Sequence, residues 1–213
     1  MDEIKSFWEK SHTKNKARAV KDCNVVFDNW LAKYLDDIDK HSTILELGCG
    51  LGRNTQFIVD NGLKVIATDF SQNAVDFVKE FIPQAETLIA DLNRPLPFAD
   101  SQFQTVVADL CLHYFSDKKT REIVAEIKRV LMSNGYLLAR VNSTDDIAHG
   151  AGQGEKLDEN FYFVNGYNKR FFNTSEVEKY FGQIGQVRSS ESIFTRYTDP
   201  NQKKVIEVCV QKD

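Results

Sequence analysis

The amino-acid sequence predicts an α/β fold: a mostly parallel sheet with helices on both faces. Apolar, strand-like runs alternate with amphipathic helical runs between Thr43 and Val141. The strand-like runs are nearly continuous in apolar residues, as in strands buried on both sides and joined by crossover helices. After Asn142 the alternation gives way to paired β-like runs, which suit antiparallel strands added at one end of a sheet.

Each element has its own signal. Residues 1–16 are polar and basic, with Phe7 and Trp8 embedded, and Lys10, Lys14, Lys16, Arg18 and Lys21 form a positive cluster. This reads as a solvated face or as an arm whose aromatic residues close over a ligand. From about Ala17 to Ile38, Val20, Cys23, Phe27, Trp30, Leu31, Tyr34, Leu35 and Ile38 recur at helical spacing, the stripe of a core-facing helix. The first strand is 43–47, and its helix ends at Asn61-Gly62, a C-cap pair. The second strand, 63–68, is closed by Asp69; Ser71 caps the next helix, which Pro83 stops. Residues 86–90 are a short third strand closed by Asp91, and Phe103 to Ala108 a fourth. Ser116 or Asp117 caps a helix whose stripe is Ile123, Val124, Ile127, Val130 and Leu131, ending at Asn134-Gly135 before a fifth strand, Tyr136 to Val141.

Residues 143–160 are rich in Asp, Gly, Ser and Gln, and Gly150 to Gly154 read as a hinge or flexible loop, not a phosphate cradle, since Glu155 follows. Asn165-Gly166 between aromatic-rich runs is a hairpin signal, and Asn173 with Glu176 a capping box. Two terminal runs, about 184–197 and 203–211, form a last hairpin joined at 199–202. A single domain, 1–213, is expected, with an N-terminal arm and helix to about residue 40 and a lid-like insertion at about 143–172.

Composition narrows the function. A net charge of −4 with mixed signs gives no electrostatic case for nucleic acid. No apolar run approaches the roughly 20 residues that span a membrane, and the first residues lack a secretory core. Cys23, Cys49, Cys111 and Cys209 match no zinc or redox spacing, so reduced thiols, no metal site and a cytoplasmic location are expected.

The chemistry centres on Glu46-Leu47-Gly48-Cys49-Gly50-Leu51-Gly52-Arg53-Asn54-Thr55, where a strand meets a helix through glycines at alternate positions. Glycine lets a ligand approach the backbone closely. A dinucleotide fingerprint places its third glycine where Arg53 stands, and a phosphate-cradling Gly-Lys-Ser/Thr loop is absent. A carboxylate at Glu46 suits a cation better than a pyrophosphate. S-adenosylmethionine, with a sulfonium, an ammonium and a ribose but no phosphate, fits. Ligands of open α/β sheets bind beyond the carboxyl ends of the strands, where Asp69, Asp91 and Asp109 follow Glu46 at successive strand ends. Asp69 matches a ribose diol; Asp91 and the Leu92 amide suit adenine.

Together these segments resemble the class I S-adenosylmethionine-dependent methyltransferases over nearly the whole chain. Glu46 to Gly52 is similar to the family's first motif, Ala67-Thr68-Asp69-Phe70-Ser71 to its ribose-binding motif, Ala90-Asp91-Leu92 to its adenine segment and Val107 to Tyr114 to its fourth-strand motif. Gly52-Arg53-Asn54 resembles the tellurite-resistance branch. Phe103-Gln104 and Ser133-Asn134-Gly135 stand where the family often has Phe-Asp and Pro-Gly-Gly. The resemblance implies a Rossmann-like three-layer sandwich of strand order 3-2-1-4-5-7-6, with strand seven antiparallel. It also implies cofactor contacts at Glu46, Gly48, Cys49, Gly50, Gly52, Arg53, Asn54, Asp69, Phe70, Ser71, Asp91, Leu92 and Asp109.

His113 and Tyr114 follow the fourth strand, where a base or an aromatic wall would border the methyl group. His149, Tyr162, Tyr167 and Arg170 are candidates to line the acceptor, and the same hairpin also reads as mere packing on the sheet. The expected activity is methyl transfer to a small molecule. A protein methyltransferase and a non-catalytic cofactor-binding module stay open, while glycine spacing and Glu46 disfavour a nicotinamide oxidoreductase.

Overall fold

The computed structural model describes residues 8–11, 13, 29–195 and 201–213. The expected helix from Ala17 lies outside the described residues up to position 28, as do Cys23 and most of the basic cluster; Trp30–Tyr34 is a short 3-10 turn.

The strands are β1 (Thr43–Leu47), β2 (Lys64–Asp69), β3 (Glu86–Ile89), β4 (Phe103–Asp109), β5 (Leu131–Asn142), β6 (Glu155–Asp158), β7 (Phe161–Val164), β8 (Tyr167–Arg170), β9 (Gly185–Thr195) and β10 (Gln202–Lys212). The helices are α1 (Arg53–Asp60), α2 (Gln72–Phe81), α3 (Asp117–Val130) and α4 (Thr174–Phe181). A seven-stranded sheet runs β3-β2-β1-β4-β5-β10-β9, the expected order with β9 and β10 as its sixth and seventh strands. β1 pairs parallel with β2 from Thr43↔Lys64 to Leu47↔Thr68, and β2 parallel with β3. β10 runs antiparallel to both β5 and β9, so the last hairpin supplies the antiparallel strand. A second sheet, β6-β7-β8, has three strands.

The chain divides into two compact units, Met1–Pro97 with Phe103–Val107, and Phe98–Gln102 with Ala108–Asp213. In the first unit, α1 packs on β2, and α2 on β2 and β3. Cys49, Ala67, Val78 and Ile82 form a core cluster beside the glycine turn. In the second, α3 packs on β5 and α4 on β9 and β10.

The structure corrects two local expectations in the second unit. α3 stops at Val130, before Asn134-Gly135, and β5 begins at Leu131. Its last carbonyls find partners outside the helix: Ser101 N donates to Arg129 O (2.8 Å), Gln102 N to Val130 O (2.8 Å), and Lys212 Nζ to Lys128 O and Leu131 O. A helix end so satisfied needs no glycine cap. Within the Gly150–Gly154 run the two ends lie close against β7, where a Cβ on Gly154 would lie 2.2 Å from Phe163 O and one on Gly150 2.9 Å from Val164, while a Cβ on Gly152 would meet nothing within 4 Å. Residues 143–160, read as loop, also carry β6 and a 3-10 turn at Ile147–His149.

Candidate cofactor and acceptor sites

β1 ends in a turn whose glycines all have left-handed backbone: φ is 67° at Gly48, 53° at Gly50 and 76° at Gly52. The turn is held from both sides. Cys49 N donates to Thr68 O (2.9 Å) and Gly52 N to Cys49 O (2.9 Å). Gly50 N donates to one oxygen of Asp69 (3.0 Å), and Ser71 N to the other (2.9 Å). One carboxylate at the end of β2 therefore ties the glycine turn of β1 to the start of α2. Ser71, fully buried, caps α2 by accepting from Ala74 N (3.3 Å).

Glu46 is buried at the end of β1, where the Thr55 hydroxyl donates to its carboxylate at 2.5 Å. Thr55, the last residue of the glycine stretch, lies on the first turn of α1, and its pairing with Glu46 nine residues earlier matches no general spacing rule. Asp91, half-buried, accepts from the Asn93 backbone and side-chain nitrogens, both at 2.9 Å, in a local turn that also presents Leu92. Arg53 and Phe70 are half-buried beside these turns. Asn54, expected at the cofactor, is buried and accepts from the Trp30 indole (3.1 Å). That hydrogen bond joins α1 to the 3-10 turn. Glu46, Gly48, Cys49, Gly50, Gly52, Asp69, Ser71, Asp91 and Leu92 all lie within the first unit.

Arg53, Asn54 and Phe70 lie in the first unit too, whereas Asp109, His113, Tyr114, His149, Tyr162, Tyr167 and Arg170 lie in the second unit. Asp109 is gripped by Arg140, whose Nε and Nη2 reach its two oxygens at 2.7 and 2.8 Å, while Arg140 O accepts from Leu110 N (2.9 Å). Leu110 is left-handed, φ 54°, so the exit of β4 is a strained turn clamped by one buried arginine. Arg140 carried no local signal in the sequence. Beyond that turn His113 is buried and its ring lies 4.2 Å from that of Tyr114, which lies 5.8 Å from Tyr167. Lys169 stands over Tyr167 (4.8 Å) and donates to His149 O (3.1 Å). His149 Nδ1 lies 2.7 Å from buried Asp146, whose other oxygen takes Lys203 Nζ (2.9 Å). Thus His113, Tyr114, Tyr167, Lys169 and His149 form one run of contacts. Tyr162 packs edge-on against Phe171 (6.2 Å).

Arg170, expected to meet an acceptor, is 1% exposed. Its amide donates to His113 O (2.7 Å), its Nε to Phe115 O (3.4 Å) and its Nη1 to Glu159 O (3.2 Å). Its guanidinium sits over the rings of Phe161 (4.9 Å) and Tyr180 (5.2 Å). It fastens β8 to the segment after β4 and is enclosed by its own chain.

Fold, glycine turn and strand-end acids together support a class I S-adenosylmethionine-dependent methyltransferase, with S-adenosylmethionine as its cofactor. Residues 44–135 match the methyltransferase domain family. The chain is similar to an uncharacterized methyltransferase of Synechocystis, 32% identical over 92 residues that cover 43% of each protein, so it spans less than half that relative's length. It is similar to the tRNA N(3)-methylcytidine methyltransferase trm141 of Schizosaccharomyces pombe, 27% identical over 95% of this chain and 89% of that one. Among solved structures it shares its fold with a SAM-dependent methyltransferase of Methanosarcina mazei, at TM-score 0.74 and 18% identity over 85% of this chain and 97% of that one.

Proposed function

We propose that this protein binds S-adenosylmethionine in its first unit and transfers the methyl group to a small-molecule acceptor. The observation that carries the reading is the Asp69 carboxylate, which holds Gly50 N and Ser71 N at 3.0 and 2.9 Å. That arrangement preforms a glycine turn with an acid beside it and no phosphate-binding lysine, which suits a sugar and a sulfonium. Glu46 and the turn glycines hold the amino-acid end of the cofactor, with Arg53 at its carboxylate; Asp69 with Phe70 and Ser71 holds the ribose, and Asp91 with Leu92 the adenine. When bound, the cofactor supplies a methyl group on a positively charged sulfur that is already a good leaving group.

The chain's own task is to orient the acceptor in line with the C–S bond at about 3–3.5 Å and to keep water away. Tyr114, Tyr162, Tyr167 and His149 are assigned to the acceptor side, with 143–172 as its cover and Arg170 as the anchor of that cover. His113 takes the proton of a protic acceptor.

A transfer-RNA acceptor is the second reading, favoured by the likeness to trm141 over 95% of the chain. The net charge of −4 weighs against it, because binding a phosphate backbone is driven by cationic surface. Calorimetry with S-adenosylmethionine, S-adenosylhomocysteine and NAD(P) tests the cofactor. Released S-adenosylhomocysteine, measured with small-metabolite pools and with total tRNA, then tests the acceptor. Binding of the adenosyl compounds and turnover with the metabolite pool is expected. NAD(P) binding in their place overturns the cofactor assignment, and turnover with tRNA alone overturns the acceptor assignment.

A further inference from the structure

We infer that residues 8–11 and 13 belong to the cofactor site, and that Glu9 is the positioning residue that seats them there. The inference rests on the assignment of Asp69 to Ser71 to the ribose.

Helix α2 begins directly after that stretch. Its first turn presents amide groups with no partner inside the helix. Ser71 takes one of them, Ala74 N. Another, Gln72 N, is taken by Glu9 Oε1 at 3.0 Å, from 63 positions away in the chain. The second Glu9 oxygen accepts from the Asn73 side chain. The same Asn73 nitrogen donates to Thr13 Oγ1 (3.3 Å), and the Thr13 hydroxyl donates to Glu9 O (2.9 Å). The N-terminal turn is therefore closed on itself and fastened to the start of α2 by one carboxylate.

That position matters because the chain from Asp69 to Asn73 is one continuous device. At one end Asp69 holds the glycine turn; at the other Gln72 and Asn73 hold Glu9. Half-buried Trp8 precedes Glu9, so the seat also brings an aromatic residue to this end of the unit. A carboxylate at a helix N-terminus is favoured by the helix dipole, but this contact is solvent-exposed and shifts an equilibrium by only about two- to fivefold. A fastening of that strength closes over a bound nucleoside and still releases on each turnover.

The test is the dissociation rate of labelled S-adenosylhomocysteine from the wild-type protein, Glu9→Gln, Glu9→Ala and Asn73→Ala. Glutamine keeps an acceptor oxygen and loses the charge; alanine loses both. Dissociation is expected to quicken from wild type through Glu9→Gln to Glu9→Ala, about two- to fivefold in all, with Asn73→Ala in between. The midpoint of unfolding without ligand is expected to stay within about 2 °C. The gap between wild type and Glu9→Gln should narrow toward 1 M salt, where the screening length falls to about 3 Å. A Glu9→Ala rate equal to wild type, or a quickening that merely tracks lost stability, overturns the inference. Failure of the wild type to bind S-adenosylhomocysteine overturns the cofactor assignment itself, and the wild-type arm shows that outcome separately.

Discussion

At Gly52 the backbone sits at φ 76°, and an added Cβ would come within 2.5 Å of Ile82 Cδ1 and 3.0 Å of Val78 Cγ2. Left-handed backbone costs a non-glycine residue roughly 1–2 kcal/mol, and overpacking a core costs about 1–3 kcal/mol more. Gly52→Ala is thus expected to lower stability by about 2–5 kcal/mol, read as a fall in urea midpoint at unchanged slope; an unchanged midpoint would mean that α2 yields freely. Asp69 holds the glycine turn and, in the proposed reading, the ribose. Asp69→Ala is expected to weaken S-adenosylmethionine affinity by about 1–3 kcal/mol, the cost of unpaired polar contacts, and calorimetry checks it. An affinity equal to wild type would remove Asp69 from the ribose. The glycine spacing and these acids were legible in the sequence because turn geometry and strand-end placement are local. The partners of Asn54, Asp109 and Arg170 were not, because Trp30, Arg140 and Phe115 lie 24, 31 and 55 positions away.

Between elements, Asp117 joins α3 to α4, accepting from the Tyr180 hydroxyl at 2.8 Å and lying 3.1 Å from Lys179 Nζ. The Asp117 carboxyl is held well below the usual carboxylate range by its hydrogen bond from Arg121, and then by those from the Tyr180 hydroxyl and Lys179. Burial, followed by the bond to Asp117, pushes the Tyr180 phenol above its ordinary value. A carboxyl lowered by folding adds stability above its unfolded value of about 3.9, and that stability is lost as pH falls toward the folded value. The site is more than a third exposed, so Asp117→Asn is expected to cost only about 1 kcal/mol at pH 7. The difference from wild type should shrink below about pH 4. For Tyr180 the sign reverses: its contribution is complete below about pH 10 and is lost as the phenol ionises. Denaturant midpoints of both proteins from pH 2 to 7 decide the matter, and a difference independent of pH would sink the assignment. The Asn173–Glu176 capping box forms as the sequence indicated, and Asn173→Ala is expected to cost about 1 kcal/mol. Caps and the Asn165-Gly166 turn were legible because four neighbouring residues settle them. The end of α3 was not, because Lys212 and the 101–102 turn settle it from elsewhere.

At the scale of the molecule, strand alternation sufficed for a mostly parallel sheet, whereas its order, 3-2-1-4-5-7-6, was legible only through the family resemblance; right-handed crossovers limit the arrangements of parallel strands without choosing one. The division of labour is a separate matter. Glu46, Gly50, Asp69 and Asp91 fall in one compact unit, and His113, His149 and Tyr167 in the other. Local motifs do not show such a partition, because it depends on where long-range contacts are dense. With the proposed cofactor residues all in the first unit, cofactor binding is expected to be a regional event. A ligand at 100 times its dissociation constant stabilises the form that binds it by about 2.7 kcal/mol, and that energy slows exchange only where the opening motion breaks the site. With S-adenosylhomocysteine alone, amide exchange is therefore expected to slow at 46–52, 69–74 and 91–94, and to stay unchanged at 155–170. Protection of the latter stretch should require an acceptor as well. Slowing confined to 155–170 would place the nucleoside in the second unit, and the proposed roles of Asp69 and Asp91 would fall together.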